Sequence, residues 1–182
     1  CTGFIGNNLI DIISTSDEID DYLIITRKEL LSRNNHYRGV TDICLEISEI
    51  IKSFSPSHII NCIDDYSESA NNAAILKIQS IIIDELLLLN YVHLIYLSSS
   101  AVYGVAKEQI QFTEKSKLMP VGEYGRRKVL IEHQLKEASF RNKDVAITIL
   151  RVFNICGPGQ NFILSPAVII NDICGSWNTS SK

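Results

Sequence analysis

Short, unbroken runs of β-branched residues alternate with longer stretches of helical period, and this pattern constrains the chain more than any other feature. Residues 21–26 (DYLIIT), 57–63 (SHIINCI), 92–97 and 145–152 (VAITILRV) read as strands. Runs this apolar, with no polar residue at every second position, are buried on both faces, as in parallel sheets covered by helices. Between them, Ile43, Ile47, Ile50 and Ile51 recur at helical spacing and predict a helix over 44–54; 67–90 and 122–140 predict two more. The alternation predicts an α/β fold, a Rossmann-type doubly wound parallel sheet.

Composition narrows the function. The 182 residues are 46% hydrophobic and 21% charged, enough apolar content for a packed core and too much for a disordered chain. The net charge of −4 comes without a basic tract, so a nucleic-acid partner is not expected. The most apolar stretch, 81–89, carries Asp84 and Glu85 and is too short to span a bilayer, so no membrane partner is expected either. Five cysteines, Cys1, Cys44, Cys62, Cys156 and Cys174, form no CxxC pair. An odd, scattered set argues against a disulfide framework and against a structural metal site. It fits a reducing compartment, and a cytoplasmic protein is expected; no basic leader with an apolar core opens the chain.

Thr2-Gly3-Phe4-Ile5-Gly6 runs straight into an apolar segment, 7–13, that reads as a helix. Glycines three apart at a helix start let a phosphate approach the backbone N–H groups at the positive helix end. Two glycines also occur in ordinary helix caps. A residue at the end of the second strand of such a unit meets the adenosine ribose, and an Arg there accepts the 2′-phosphate of NADP. That position is Thr26, followed by Arg27 and Lys28, which leans toward NADP over NAD unless Arg27 is an ordinary solvated residue. Asp42-Ile43 is placed to meet the adenine, and Asp42 could equally cap the following helix.

Tyr124 and Lys128 stand at i and i+4, one helix face apart, in Tyr-Gly-Arg-Arg-Lys. An ammonium beside a phenol stabilises phenolate, so the expectation is a lowered Tyr124 pKa and a general acid/base for a carbonyl or carbinol. A second pair, Tyr103 and Lys107, has the same spacing, but Gly104 follows Tyr103 and no helical pattern carries it. Ser98-Ser99-Ser100 ends a strand, where sites of open α/β sheets lie.

In order along the chain, TGFIG (2–6), YLSSSAVYG (96–104), YGRRK (124–128) and LRVFNICGPGQ (150–160) resemble the extended short-chain dehydrogenases/reductases, in particular the nucleotide-sugar epimerases, dehydratases and reductases. The resemblance implies that Tyr124 is the acid/base, that Lys128 holds the nicotinamide ribose and tunes Tyr124, and that Ser99 is the catalytic hydroxyl. It implies that Gly3, Phe4, Ile5 and Gly6 line the cofactor pyrophosphate, and that Ser99, Ser100 and Asn154 meet the substrate, a nucleotide-diphosphate sugar. It also implies a homodimer built through the helices at 67–90 and 122–140.

The chain departs from the family pattern in places. Where the family often has a small, Ala-rich turn against the cofactor, this chain has Cys62-Ile63-Asp64-Asp65, and two carboxylates there are unfavourable unless they point away or pair. Ser100-Ala101 stands where the sugar 4,6-dehydratases carry Asp-Glu, which disfavours dehydration. The expectation is hydride transfer at a sugar carbon, with a lean toward NADPH-dependent reduction of a 4-keto-6-deoxy sugar; the alternatives are an epimerase that retains NAD and a non-catalytic dinucleotide sensor. Residues 1–160 are read as a cofactor domain lacking its first strand and first glycine, and 161–182 as the beginning of a substrate region. A chain of this extent is expected to be marginally stable and inactive by itself.

Overall fold

Every strand pairing in the structure, a computed structural model that describes residues 3–26, 37–64, 72–105, 111–155 and 157, is parallel. The element order is α1 (Phe4–Ser14), β1 (Ile24–Thr26), β2 (Tyr37–Gly39), α2 (Ile43–Phe54), β3 (His58–Asn61), α3 (Asn72–Leu86), β4 (Val92–Ser99), a short 3-10 helix (Ser100–Tyr103), α4 (Glu123–Arg141) and β5 (Val145–Val152). This is the expected doubly wound α/β architecture. β1 pairs with β2, and β4 lies between β3 and β5. A doubly wound sheet of order 3-2-1-4-5-6 puts one more parallel strand between β1 and β3. Among the described residues none occupies that place.

Several boundaries differ from the sequence reading, each for a local reason. The strand expected at 21–26 begins only at Ile24, because the Asp21 carboxylate accepts the Tyr22 N–H at 2.8 Å and turns the backbone there. The strand expected to reach residue 63 stops at Asn61, whose side-chain oxygen takes the Ile63 N–H at 3.1 Å in place of a ladder bond. β4 runs past residue 97 to Ser99, since β5 stays in register with it from Val92↔Val145 to Ser99↔Val152. The described part of the helix expected over 67–90 ends at Leu86, where Leu88 and Leu89 donate to carbonyls three residues back. The helix expected over 7–13 starts at Phe4 with Gly3 as its cap.

One core joins the layers. Ile50 of α2, Leu86 of α3, Leu94 and Tyr96 of β4, and Ile131 and Leu135 of α4 are almost wholly buried in a single apolar cluster. α1 is different: Gly6 is its one buried residue. No described helix is long and apolar enough to cross a membrane.

Leu86 is 0% exposed, so Leu86→Ala leaves a cavity between α2, α3 and the sheet. It is expected to cost about 2–5 kcal/mol of unfolding free energy, read from urea denaturation.

Candidate active site

The level ends of β4 and β5 bring the sequence-predicted groups together. At the end of β4 the serine triplet splits into three roles. Ser98 is buried and its hydroxyl donates to Glu132 at 2.6 Å. Ser99 caps the 3-10 helix, accepting from the Ala101 N–H at 3.2 Å, and its hydroxyl favours the phenolate form of Tyr124. Ser100 opens the 3-10 helix. Tyr124 reaches Ser99 because α4 comes very close to that helix. A Cβ on Gly125 would lie 2.6 Å from the Ala101 carbonyl oxygen, so only glycine allows the approach. Gly104 turns the chain out of the 3-10 helix at φ +77°, where a Cβ would collide with the Met119 carbonyl.

Lys128 lies one turn beyond Tyr124 and is 3% exposed. Its ammonium donates to the Leu97 carbonyl at 2.5 Å, sits 4.7 Å from the Tyr96 ring centroid and 5.8 Å from that of Tyr124, and forms an ion pair with Asp64. The other Asp64 oxygen accepts from Arg127 at 2.7 Å. Asp64 therefore pairs, one of the two arrangements in which a carboxylate is tolerable in that turn. Asp65 lies outside the described residues.

The electrostatics correct one expectation. Burial pushes the Tyr124 phenol up, Asp64 adds to this, and the Ser99 hydrogen bond and Arg127 do not outweigh them. The anticipated lowering by Lys128 is absent because that ammonium is spent on Asp64 and Leu97. Burial also pulls the Lys128 ammonium down, with Asp64 opposing.

Sequence reasoning missed the brace beneath the site. Glu132, at i+8 from Tyr124, is 0% exposed and accepts from Arg151 Nη2 at 2.7 Å and Nε at 3.0 Å. Arg151 also donates to the Tyr103 hydroxyl and the Glu114 carbonyl, both at 3.1 Å. Tyr103, the rival tyrosine, is thus buried and committed, and stacks on Phe112 at 4.7 Å. Its partner Lys107 lies outside the described residues. An acidic residue in helical register with Ile131, Leu135 and Ala138 was the available signal.

The remaining predicted residues fall as follows. Gly3 caps α1 without a side-chain bond, a Cβ there would meet nothing within 4 Å, and the first turn carries no acidic residue. Phe4 and Ile5 are half-buried, and a Cβ on Gly157 would sit 3.2 Å from the Phe4 ring, so the loop after β5 passes over the glycine turn. The N-terminal amides of α1, with no acidic side chain in its first turn, fit a dinucleotide pyrophosphate. Asp42 takes its capping alternative: its carboxylate accepts the Cys44 N–H at 2.9 Å, and Glu46 reciprocates on the Asp42 N–H at 3.1 Å. The Ile43 side chain is in the core. Asn154 is exposed just after β5. Arg27 lies outside the described residues. No cluster of three His, Cys, Asp or Glu side chains suited to a metal occurs among the described residues.

A parallel sheet with a glycine turn at a helix start, and with a hydroxyl, a phenol and an ammonium gathered at its carboxyl ends, is of the Rossmann dinucleotide-binding class. The chain belongs to the NAD dependent epimerase/dehydratase family, whose pattern matches residues 1–174. A 77-residue segment is 39% identical to UDP-glucose 4-epimerase of Yersinia enterocolitica, covering 42% of this chain and 23% of that protein. The structure of UDP-glucose 4-epimerase from Brucella ovis in complex with NAD shares the fold with a TM-score of 0.70 and 21% identity, over 84% of this chain and 49% of that one. dTDP-glucose 4,6-dehydratase from Bacillus anthracis in complex with NAD gives 0.75 at 19% identity, over 96% and 59%. The chain thus spans well under two thirds of each of these relatives.

Burial alone would push the Glu132 carboxyl up, but the hydrogen bonds from Arg151 and Ser98 outweigh it and hold it below the usual carboxylate range. A depressed folded-state pKa gives stability that is present above the unfolded value, about 4.3, and lost as the pH falls through the folded one. Glu132→Ala is expected to destabilise by about 3–5 kcal/mol at neutral pH, because it strands Arg151. Glu132→Gln should show a shallower loss of stability below about pH 4 than the parent, measured by urea titrations across pH.

Proposed function

We propose that this chain is the cofactor-binding part of an NAD-dependent nucleotide-sugar epimerase in which Ser99, Tyr124 and Lys128 carry the chemistry. The observation that supports this most directly is the gathering of Ser99, Tyr124 and Lys128 at the carboxyl end of β4, with the Lys128 ammonium 5.8 Å from the Tyr124 ring centroid. NAD bound against the glycine turn would take up and return a hydride at a sugar carbon. Tyr124 accepts the hydroxyl proton at that carbon as it becomes a ketone and gives it back on the return. Ser99, at the carboxyl end of β4, orients the reacting oxygen. Lys128 holds the nicotinamide ribose, and the positive charge it can lend the phenol is limited by its pairing with Asp64. Gly3 and the first turn of α1 hold the pyrophosphate, and Asn154, at the mouth beyond β5, meets the substrate diphosphate.

The choice of epimerase over an NADPH-dependent reductase rests on the relatives. The Yersinia protein and the Brucella structure are UDP-glucose 4-epimerases, and the Brucella structure is with NAD. Dehydration is disfavoured by Ser100-Ala101, which open the 3-10 helix with no acid and base between them. Residues 1–160 form the cofactor domain in this reading, and 161–182 begin the substrate region. The protein is taken as a cytoplasmic homodimer joined through α3 and α4.

In the full-length protein, Tyr124→Phe is expected to lower the interconversion of UDP-glucose and UDP-galactose by about 10²–10⁴-fold while NAD binding by calorimetry persists. Near-parental turnover in that variant overturns the assignment. NAD is expected to bind more tightly than NADP at equal ionic strength; the reverse order restores the reductase reading.

A further inference from the structure

The turn after β3 is built to present a carboxylate. Asn61 donates to the Gln79 side-chain oxygen at 2.7 Å, Gln79 donates to the Ile63 carbonyl at 3.1 Å, and Asn61 accepts the Ile63 N–H at 3.1 Å. Asn61 and Gln79 are both buried, so the next residue, Asp64, leaves a fixed backbone. Its two oxygens go to two different cations, Arg127 and Lys128, each with a side chain 3% exposed. Arg127 is held in turn by the Asn72 side-chain oxygen and lies 5.4 Å from the Tyr124 ring centroid.

Adjacent positive charges buried side by side are costly without a counter-charge. Asp64 is that counter-charge, and it also engages the ammonium that the phenol depends on. We propose that Asp64 is a positioning residue: anchored by Arg127, its carboxylate ties down Lys128 and limits how much of that positive charge reaches Tyr124. This rests on the reading of Tyr124 and Lys128 as the acid/base pair.

The groups that act on this pair are Asp64 and Cys62 from the β3 side, Tyr96 from β4 and Arg127 from α4. Ser99 adds an uncharged hydrogen bond, and Glu132, further along α4, is satisfied by Arg151. Among them Asp64 is the one anion in contact with Lys128. Removing its charge takes a counter-charge away from Arg127 beside the Tyr124 ring and frees Lys128 to turn toward the phenol. Removing Arg127 instead leaves Asp64 facing Tyr124 with one cation fewer.

The two substitutions therefore move the phenol in opposite directions. Phenolate absorbance is followed against pH in the absence of cofactor and sugar, with each protein referenced to its own Tyr124→Phe counterpart to remove the other tyrosines. Asp64→Asn is expected to bring the Tyr124 transition down by about one pH unit. Arg127→Met is expected to move it up, and Asp64→Glu to restore the parental position. A merely structural role loosens the site alike in both variants and gives shifts of one sign, or none, and either result overturns the proposal. If Asp64→Asn does not fold, Arg127→Met decides: an upward shift supports the proposal and any other result overturns it. Full turnover in Tyr124→Phe would sink the catalytic reading while leaving these shifts intact. Absent shifts with an inactive Tyr124→Phe would sink the role of Asp64 alone.

Discussion

The site depends on one constraint: α4 lays ionisable residues at i, i+4 and i+8 against the carboxyl end of β4, and two of the three are buried. A buried ammonium and a buried carboxylate on one helix face cannot be left to water, so each must find its partner within the fold. Lys128 finds the Leu97 carbonyl, the Tyr96 ring and Asp64; Glu132 finds Ser98 and Arg151. These bonds reach β3, β4 and β5. Tyr124 inherits its position from them, because a helix fixed at Lys128 and Glu132 has little freedom one turn earlier. The glycine at position 125 completes the constraint by admitting the Ala101 carbonyl where any side chain would stand.

Much of the fold is legible in the sequence because parallel strands buried on both faces write themselves as unbroken apolar runs. VAITILRV is a strand over its full predicted length, and the isoleucines of α2 fall on its buried face as their spacing requires. The boundaries are less legible where a polar side chain competes with the backbone for a bond. Asn61 ends β3 by taking an N–H of its own turn, and Asp21 delays β1 in the same way. Neither event leaves a periodic trace.

The site was legible in its parts and not in its electrostatics. Tyr124, Lys128 and Ser99 can be named from a motif, and the choice of Ser99 over Ser98 agrees with the face that each hydroxyl takes at the strand end. The charge partners lie far apart in sequence: Asp64 to Lys128, Glu132 to Arg151, Tyr103 to Arg151. A local motif cannot report them. Adjacent ammonium and phenol predict a lowered phenol pKa only if the ammonium has no better partner. Here a carboxylate from the turn after β3 is that partner, and burial then decides the sign.

The same reasoning separates the two halves of the site. The catalytic half rests on side chains at or near zero exposure, Tyr96, Leu94, Ile131 and Glu132, joined by β4 paired along both edges. The dinucleotide half rests on α1, with Gly6 as its one buried residue, and on three-residue strands paired to each other. Local stability follows buried contact, so Ser99, Tyr124 and Lys128 stand on the better-anchored half of the fold, and the glycine turn on the half with fewer buried side chains.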